Sequence, residues 1–97
     1  MEFEWDATKR QSTLDERGLD FRDARHLFDG RPVFSYMSPR ENESRVVSVG
    51  VLEGRCIAVV WTQRGGAQRI ISMRRARDGE ERKYRALLGQ GIGQPEE

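Results

Sequence analysis

The chain holds one cysteine and one histidine in 97 residues. Cys56 has no partner for an intrachain disulfide, which fits a reducing compartment, and its apolar surroundings read as packing. The count alone excludes a Cys/His metal set, and no paired-carboxylate motif stands out from the solvated acids. The expectation is therefore no metal and no other cofactor. Apolar runs are short, none approaching the roughly 18 consecutive residues of a membrane span. The opening Met1 to Asp6 is acidic where a signal peptide is apolar. A cytoplasmic protein without membrane contact is expected. Lysine is scarce as well: only Lys9 and Lys83 stand among 17 basic residues. Arginine binds phosphate bidentately and stacks on bases, so this skew suits nucleic acid. A GC-rich coding sequence would give the same skew without function.

Charge is plentiful and uneven. A third of the residues are charged, yet the net charge is +1. Residues 1–44 hold seven basic residues against ten acidic, whereas residues 45–85 hold ten against four. A near-neutral total thus conceals a basic C-terminal half, suited to a polyanion or an acidic protein partner. The apolar residues gather in strand-like runs, which separates the chain from disordered sequences. Its length allows one core, since domains commonly run to about 100–150 residues.

Hydrophobic periodicity gives the order of elements. Phe3 and Trp5 alternate with acids as a short edge strand. Asp6 caps a polar helix from Ala7 to Arg17, with Gly18 at its stop. Asp20 opens a second helix, with Leu19 stapled to Ala24 and Phe21, Ala24, Leu27 and Phe28 on one face. Beyond Pro32 the period becomes two. Strands are predicted over Val33–Tyr36, Arg45–Leu52, Arg55–Gln63 and Gln68–Arg74, with a polar loop from Met37 to Ser44 and turns at Glu53-Gly54 and Arg64-Gly65-Gly66. Short loops imply an antiparallel meander. Alternation on the last strand sets Arg69, Ile71 and Met73 on one face and Gln68, Ile70, Ser72 and Arg74 on the other. Asp78 and Glu81 read as a capping pair for a third helix that Gly89 stops. The class is α+β: an antiparallel sheet of four to five strands, two N-terminal helices and one C-terminal helix. A single domain over residues 1–88 and a loose tail over 89–97 are expected.

Several ordered segments carry a resemblance. Phe3-Glu4-Trp5-Asp6 with Lys9, Leu14 and Gly18 comes first, then Phe21, Ala24 and Phe28-Asp29. Glu43-x-Arg45 with Gly50 follows, and then Val59-Val60-Trp61-Thr62 with Arg64-Gly65. The most specific stretch is Arg69-Ile70-Ile71-Ser72-x-Arg74-Arg75-Ala76 with Glu81-Arg82 and Tyr84. Over residues 2–85 the set resembles the BrnT family of type II toxin–antitoxin toxins. The resemblance implies a RelE-like ribonuclease fold, growth-inhibiting RNA cleavage, and neutralisation by a BrnA-type ribbon-helix-helix antitoxin in a hetero-oligomer that touches operator DNA only through the antitoxin. The chain departs from the family at Thr13-Leu14-Asp15-Glu16-Arg17-Gly18, where the family often reads Asn-Leu-x-Lys-His-Gly. Arginine cannot act as an imidazole base. A catalytic histidine at that position would leave this member weak, acting mainly as antitoxin-binding partner and co-repressor. If the family residue only contacts phosphate, Arg17 could serve.

Metal-free RNA cleavage needs a base for the 2′-hydroxyl, charge stabilisation on the phosphorane, and an acid for the leaving oxygen. Arginine supplies the second abundantly. The candidate catalytic residues are Glu43, Arg45, Arg64, Arg74 and Lys83. The candidate RNA contacts are Lys9, Arg17, Arg69, Arg75, Arg77 and Tyr84. Each also has a plainer reading: solvated charge for the arginines, an ion-paired loop carboxylate for Glu43, and core for Tyr84. His26 and Trp61 read as structural. A small RNA-binding protein unrelated to toxins would need an RNP-type aromatic strand or a recognition helix, and neither is found.

Overall fold

The computed structural model describes residues 2–40 and 43–90, with residues 39, 40, 43 and 90 described in the backbone only. The expected tail beyond residue 90 lies outside the described residues. The elements run β1 (Glu2–Glu4), α1 (Ala7–Arg17), a 3₁₀ helix (Phe21–His26), β2 (Phe34–Arg40), β3 (Glu43–Leu52), β4 (Arg55–Arg64), β5 (Ala67–Arg75) and α2 (Asp78–Gln90).

α1 forms where its caps predict. The Asp6 carboxylate accepts from the backbone N–H of Thr8 and Lys9, and Gly18 ends the helix in the left-handed region at φ 71°. The second expected α-helix is instead a 3₁₀ helix, still capped by Asp20. The reason lies in the spacing. Phe21, Ala24 and Leu27 recur every three residues, and all three are fully buried. Three residues per turn places them in one line, and Asp29-Gly30 leaves no length for an α-helix to develop.

Strands β2 to β5 form the antiparallel meander, but the sheet as a whole is mixed. Its order is β1-β5-β4-β3-β2, and β1 runs parallel to β5 through Glu2, Phe3 and Glu4. Short loops dictate antiparallel pairing only for strands they join, and β1 is joined to none. The predicted loop from Met37 to Ser44 is also corrected. β2 continues to Arg40 and β3 starts at Glu43, with Pro39 opposite Ser44. Pro39 is tolerated because β2 is an edge strand, where a missing N–H costs no ladder bond. The Glu53-Gly54 turn has positive φ at both central residues (51° and 78°), the twist that suits a two-residue hairpin.

The last strand departs from simple alternation. Val60 pairs with Ser72 but Trp61 pairs with Ile70, so Ile71 is an extra residue, a β-bulge. Ile70 therefore joins Met73 in one core cluster, although alternation assigns the two to opposite faces. Ser72 and Arg74 are left to the other face. That first cluster, under the 3₁₀ helix, also holds Phe21, Leu27, Ile57 and Val59. The second, under α2, holds Val47, Val49, Cys56, Ala58 and Tyr84. Apolar residues thus cover both faces of the central strands, as their composition required.

Candidate functional site

The α2 side of the sheet carries a small cleft of about 200 Å³ lined by Tyr36, Ser38, Arg45, Val47, Val60, Ser72, Arg74 and Arg77. Four strands and a helix start build it, with β4 contributing Val60. β2 contributes Tyr36 and Ser38, and β3 contributes Arg45 directly opposite Ser38. β5 contributes Ser72 and Arg74, which reach this face because of the bulge at Ile71. Arg77 stands immediately before α2, whose N-terminal end is favourable to negative charge.

One residue organises the cleft, and it is an acid. Glu80 is 7% exposed. Its two oxygens accept from both terminal nitrogens of Arg74, each at 2.8 Å. They also accept from the Tyr36 hydroxyl and, at 2.8 Å, from the Arg77 backbone N–H. This last bond is the carboxylate half of a capping box. The predicted Asp78–Glu81 pair is therefore displaced by one position: Arg77 is the cap and Glu80 the third helical residue. Sequence reading passed over Glu80 because Glu81 fits the Asp-x-x-Glu pattern; the acid beside it was the available signal.

The electrostatics follow from that geometry. Hydrogen bonds from Arg74 hold the Glu80 carboxyl at about 2, against the opposing pull of burial. Arg74 is correspondingly raised by Glu80. Burial, then the bond to Glu80, pushes the Tyr36 hydroxyl upward. At neutral pH the cleft presents a fixed carboxylate, a protonated phenol and three guanidinium groups.

Of the residues expected to act together, Arg45, Arg74 and Arg77 meet here. Lys83 stands next to them, in a hollow it shares with Phe34, Gly79, Tyr36 and Glu80. The others lie elsewhere. Arg64 lies outside the cleft lining, in an open depression with Met37, Val46, Trp61 and Gln63. Arg69 is paired with Glu4 at 3.1 Å, tying β5 to β1. Arg75 is exposed at the end of β5, and Lys9 is exposed on α1. Arg17 donates to the Met73 carbonyl at 2.8 Å. Tyr84 is 5% exposed within the second cluster. Glu43 pairs with Arg40 through its backbone, and its side chain lies outside the description. Tyr36, Ser38 and Ser72 were not anticipated; their types are too common in strands to signal a site without the register.

Fold and cleft together define a small α+β protein with an arginine-lined, hydroxyl-edged pocket, suited to a phosphate-sized anion. Residues 5–80 match the family model for the ribonuclease toxin, BrnT, of type II toxin-antitoxin systems, and the chain belongs to that family. No curated protein matches the chain. Among the described residues no helix is long and apolar enough to cross a membrane.

Proposed function

We propose that the chain is a metal-independent endoribonuclease toxin whose RNA-cleaving surface is centred on the cleft of Arg45, Arg74 and Arg77. The observation that carries this reading is the convergence of three guanidinium groups with Tyr36, Ser38 and Ser72 in a pocket of phosphate size. Like charges gathered so closely cost energy unless an anion joins them. Glu80 answers the charge of Arg74.

In this reading the 2′-hydroxyl of a bound nucleotide attacks the neighbouring phosphorus. Its proton passes to a base, the bond to the 5′-oxygen breaks, and that oxygen takes up a proton. Arg45 and Arg77 stabilise the negative charge that builds on the phosphorane, the term that dominates many phosphoryl and acyl transfers. Lys83, which shares a hollow with Tyr36 and Glu80, is the proposed acid for the leaving oxygen, and Glu43 is the proposed base. Lys9, Arg17, Arg64, Arg69, Arg75 and Tyr84 are retained as candidates for wider RNA contact. The biological setting is cytoplasmic: growth inhibition, relieved by a BrnA-type ribbon-helix-helix antitoxin that covers the basic surface and carries the complex to operator DNA.

The test is cleavage of single-stranded RNA by the purified protein in the presence of EDTA. Activity that persists supports the reading; activity that disappears with the chelator overturns the metal-independent chemistry. Two contacts favour a second reading, in which the chain acts mainly as antitoxin partner and co-repressor. Arg74 already has its charge answered by Glu80, and Arg17 is committed to the backbone of β5. Absence of cleavage together with tight antitoxin binding would decide for it.

A further inference from the structure

We propose that Glu80 is a positioning residue of the cleft: it holds Arg74 and the Tyr36 hydroxyl in place and masks one positive charge, without acting as a base. The inference rests on the ribonuclease reading for its activity arm only.

Four hydrogen bonds converge on this single carboxylate, from Arg74 twice, from Tyr36 and from the Arg77 backbone. A purely structural helix cap needs only the last of these. The other three reach across the α2–sheet boundary to two residues that line the pocket. A base must also be able to take up a proton near neutral pH, whereas this carboxylate is the acceptor of every contact it makes. The bidentate Arg74–carboxylate geometry is the one arginine uses for phosphate. Glu80 thus occupies the edge of Arg74 that a phosphate would otherwise take. Arg74 is then fixed as part of the cleft wall rather than offered to the substrate.

The experiment compares wild type with Glu80→Gln, which keeps an oxygen for the Arg77 N–H, and with Tyr36→Phe, which keeps the ring in the core. Binding is measured to a 2′-O-methyl oligoribonucleotide, which cannot be cleaved, across a salt series. Turnover is measured on the unmodified RNA. Glu80→Gln should bind at least about threefold tighter at low salt, and its salt slope should steepen by about 0.7, one extra contact on a single strand. Its turnover should fall by roughly tenfold or more, the loss expected when a transition-state donor is misplaced. Tyr36→Phe should lose turnover with an unchanged salt slope, because no charge is released.

Weaker binding and slower turnover falling together in Glu80→Gln, with the slope unchanged, would reduce Glu80 to a cap and overturn the proposal. Lost turnover with binding and slope both unchanged, and with an acidic limb gone from the pH profile, would make it a base. Unchanged turnover in Tyr36→Phe would also overturn it, and this arm stands if Glu80→Gln fails to fold. Should wild type neither bind nor cleave RNA, the ribonuclease reading fails separately. Inorganic phosphate then decides the masking: affinity at least about threefold higher in Glu80→Gln supports it, and equal affinity refutes it.

Discussion

The guanidinium of Arg17 donates a 2.8 Å hydrogen bond to the carbonyl oxygen of Met73. β1 pairs with β5 only from Ala67 to Arg69, so Met73 lies beyond the paired stretch of that edge. Arg17 supplies a donor where no strand does. It comes from α1, which is tied to the 3₁₀ helix by the Arg10–Asp20 ion pair, on the side of the sheet away from α2. The arginine cleft lies on the α2 side. Replacing Arg17 with the histidine common in the family is therefore expected to leave RNA cleavage within about twofold, because the side chain at this position serves β5. Arg17→Ala should cost about 1 kcal/mol of stability, the usual worth of one such bond. Urea unfolding and a cleavage assay on both variants check this. A gain of tenfold or more in Arg17→His would place the missing base at position 17.

Membership of the cleft separates the arginines that the sequence could not sort: Arg45 and Arg77 line it and Arg64 does not. Arg45→Ala and Arg77→Ala are each expected to reduce cleavage by on the order of 10²–10³, the range for losing one charge-stabilising contact. Arg64→Ala, in a separate depression outside the cleft, should reduce it by less than about fivefold. Cys56→Ser and His26→Gln should leave growth inhibition intact, since Cys56 is buried beneath α2 and His26 is exposed at the end of the 3₁₀ helix. Equal losses for Arg45 and Arg64 would mean that the RNA path does not follow the cleft.

Local signals in the sequence were reliable where the chemistry is local. Asp6 and Gly18 bound α1 at both ends, and Glu53-Gly54 fixed a hairpin. The failures that matter for the site share a cause: they depended on a partner distant in the chain. The direction of β1 depends on β5, some sixty residues away. The bulge at Ile71 shows only in the register with Trp61, and it decides which face receives Arg74. Arg45 and Arg74 were identifiable as candidates by type and neighbourhood. Glu80 and Tyr36 were not, because a second acid in a helix start and a tyrosine in a strand carry no signal until the fold joins them. The three-residue spacing of Phe21, Ala24 and Leu27 did carry the 3₁₀ helix, once its line of burial is recognised.

Gly50 on β3 leaves room for Leu27, just past the 3₁₀ helix, to pack on the sheet. A Cβ placed there would lie 2.7 Å from Leu27 Cδ1 and 3.3 Å from Val33 Cγ1. Leu27 is fully buried, so the clash falls inside the core. Gly50→Ala is expected to destabilise the protein by about 1–3 kcal/mol, the usual cost of overpacking a filled core. Chemical denaturation measures it directly. The double variant Gly50→Ala with Leu27→Val should recover part of the loss, and failure to recover any would place the strain elsewhere.

Glu80 should also write itself into the acid stability of the fold. Its carboxyl titrates near 2 when folded, against an ordinary value of 4.5, with the Arg74 hydrogen bonds as the main cause. A lowered folded-state value means that the unfolded chain binds the proton more readily. The stabilisation is therefore fully present above about pH 4.5 and is lost as pH falls from there towards 2. Each unit of difference corresponds to about 1.4 kcal/mol, so the full effect is on the order of 3 kcal/mol. Asp20 is lowered too, held by Arg10 and Arg22, so the acid slope of wild type contains both groups. The difference between wild type and Glu80→Gln isolates one of them. Urea unfolding at pH 7, 4 and 3 should show Glu80→Gln less stable by a few kcal/mol at neutral pH, with the gap narrowing as the pH drops. Curves that stay parallel across that range would show that the Glu80 carboxyl is not held below its ordinary value in the folded protein.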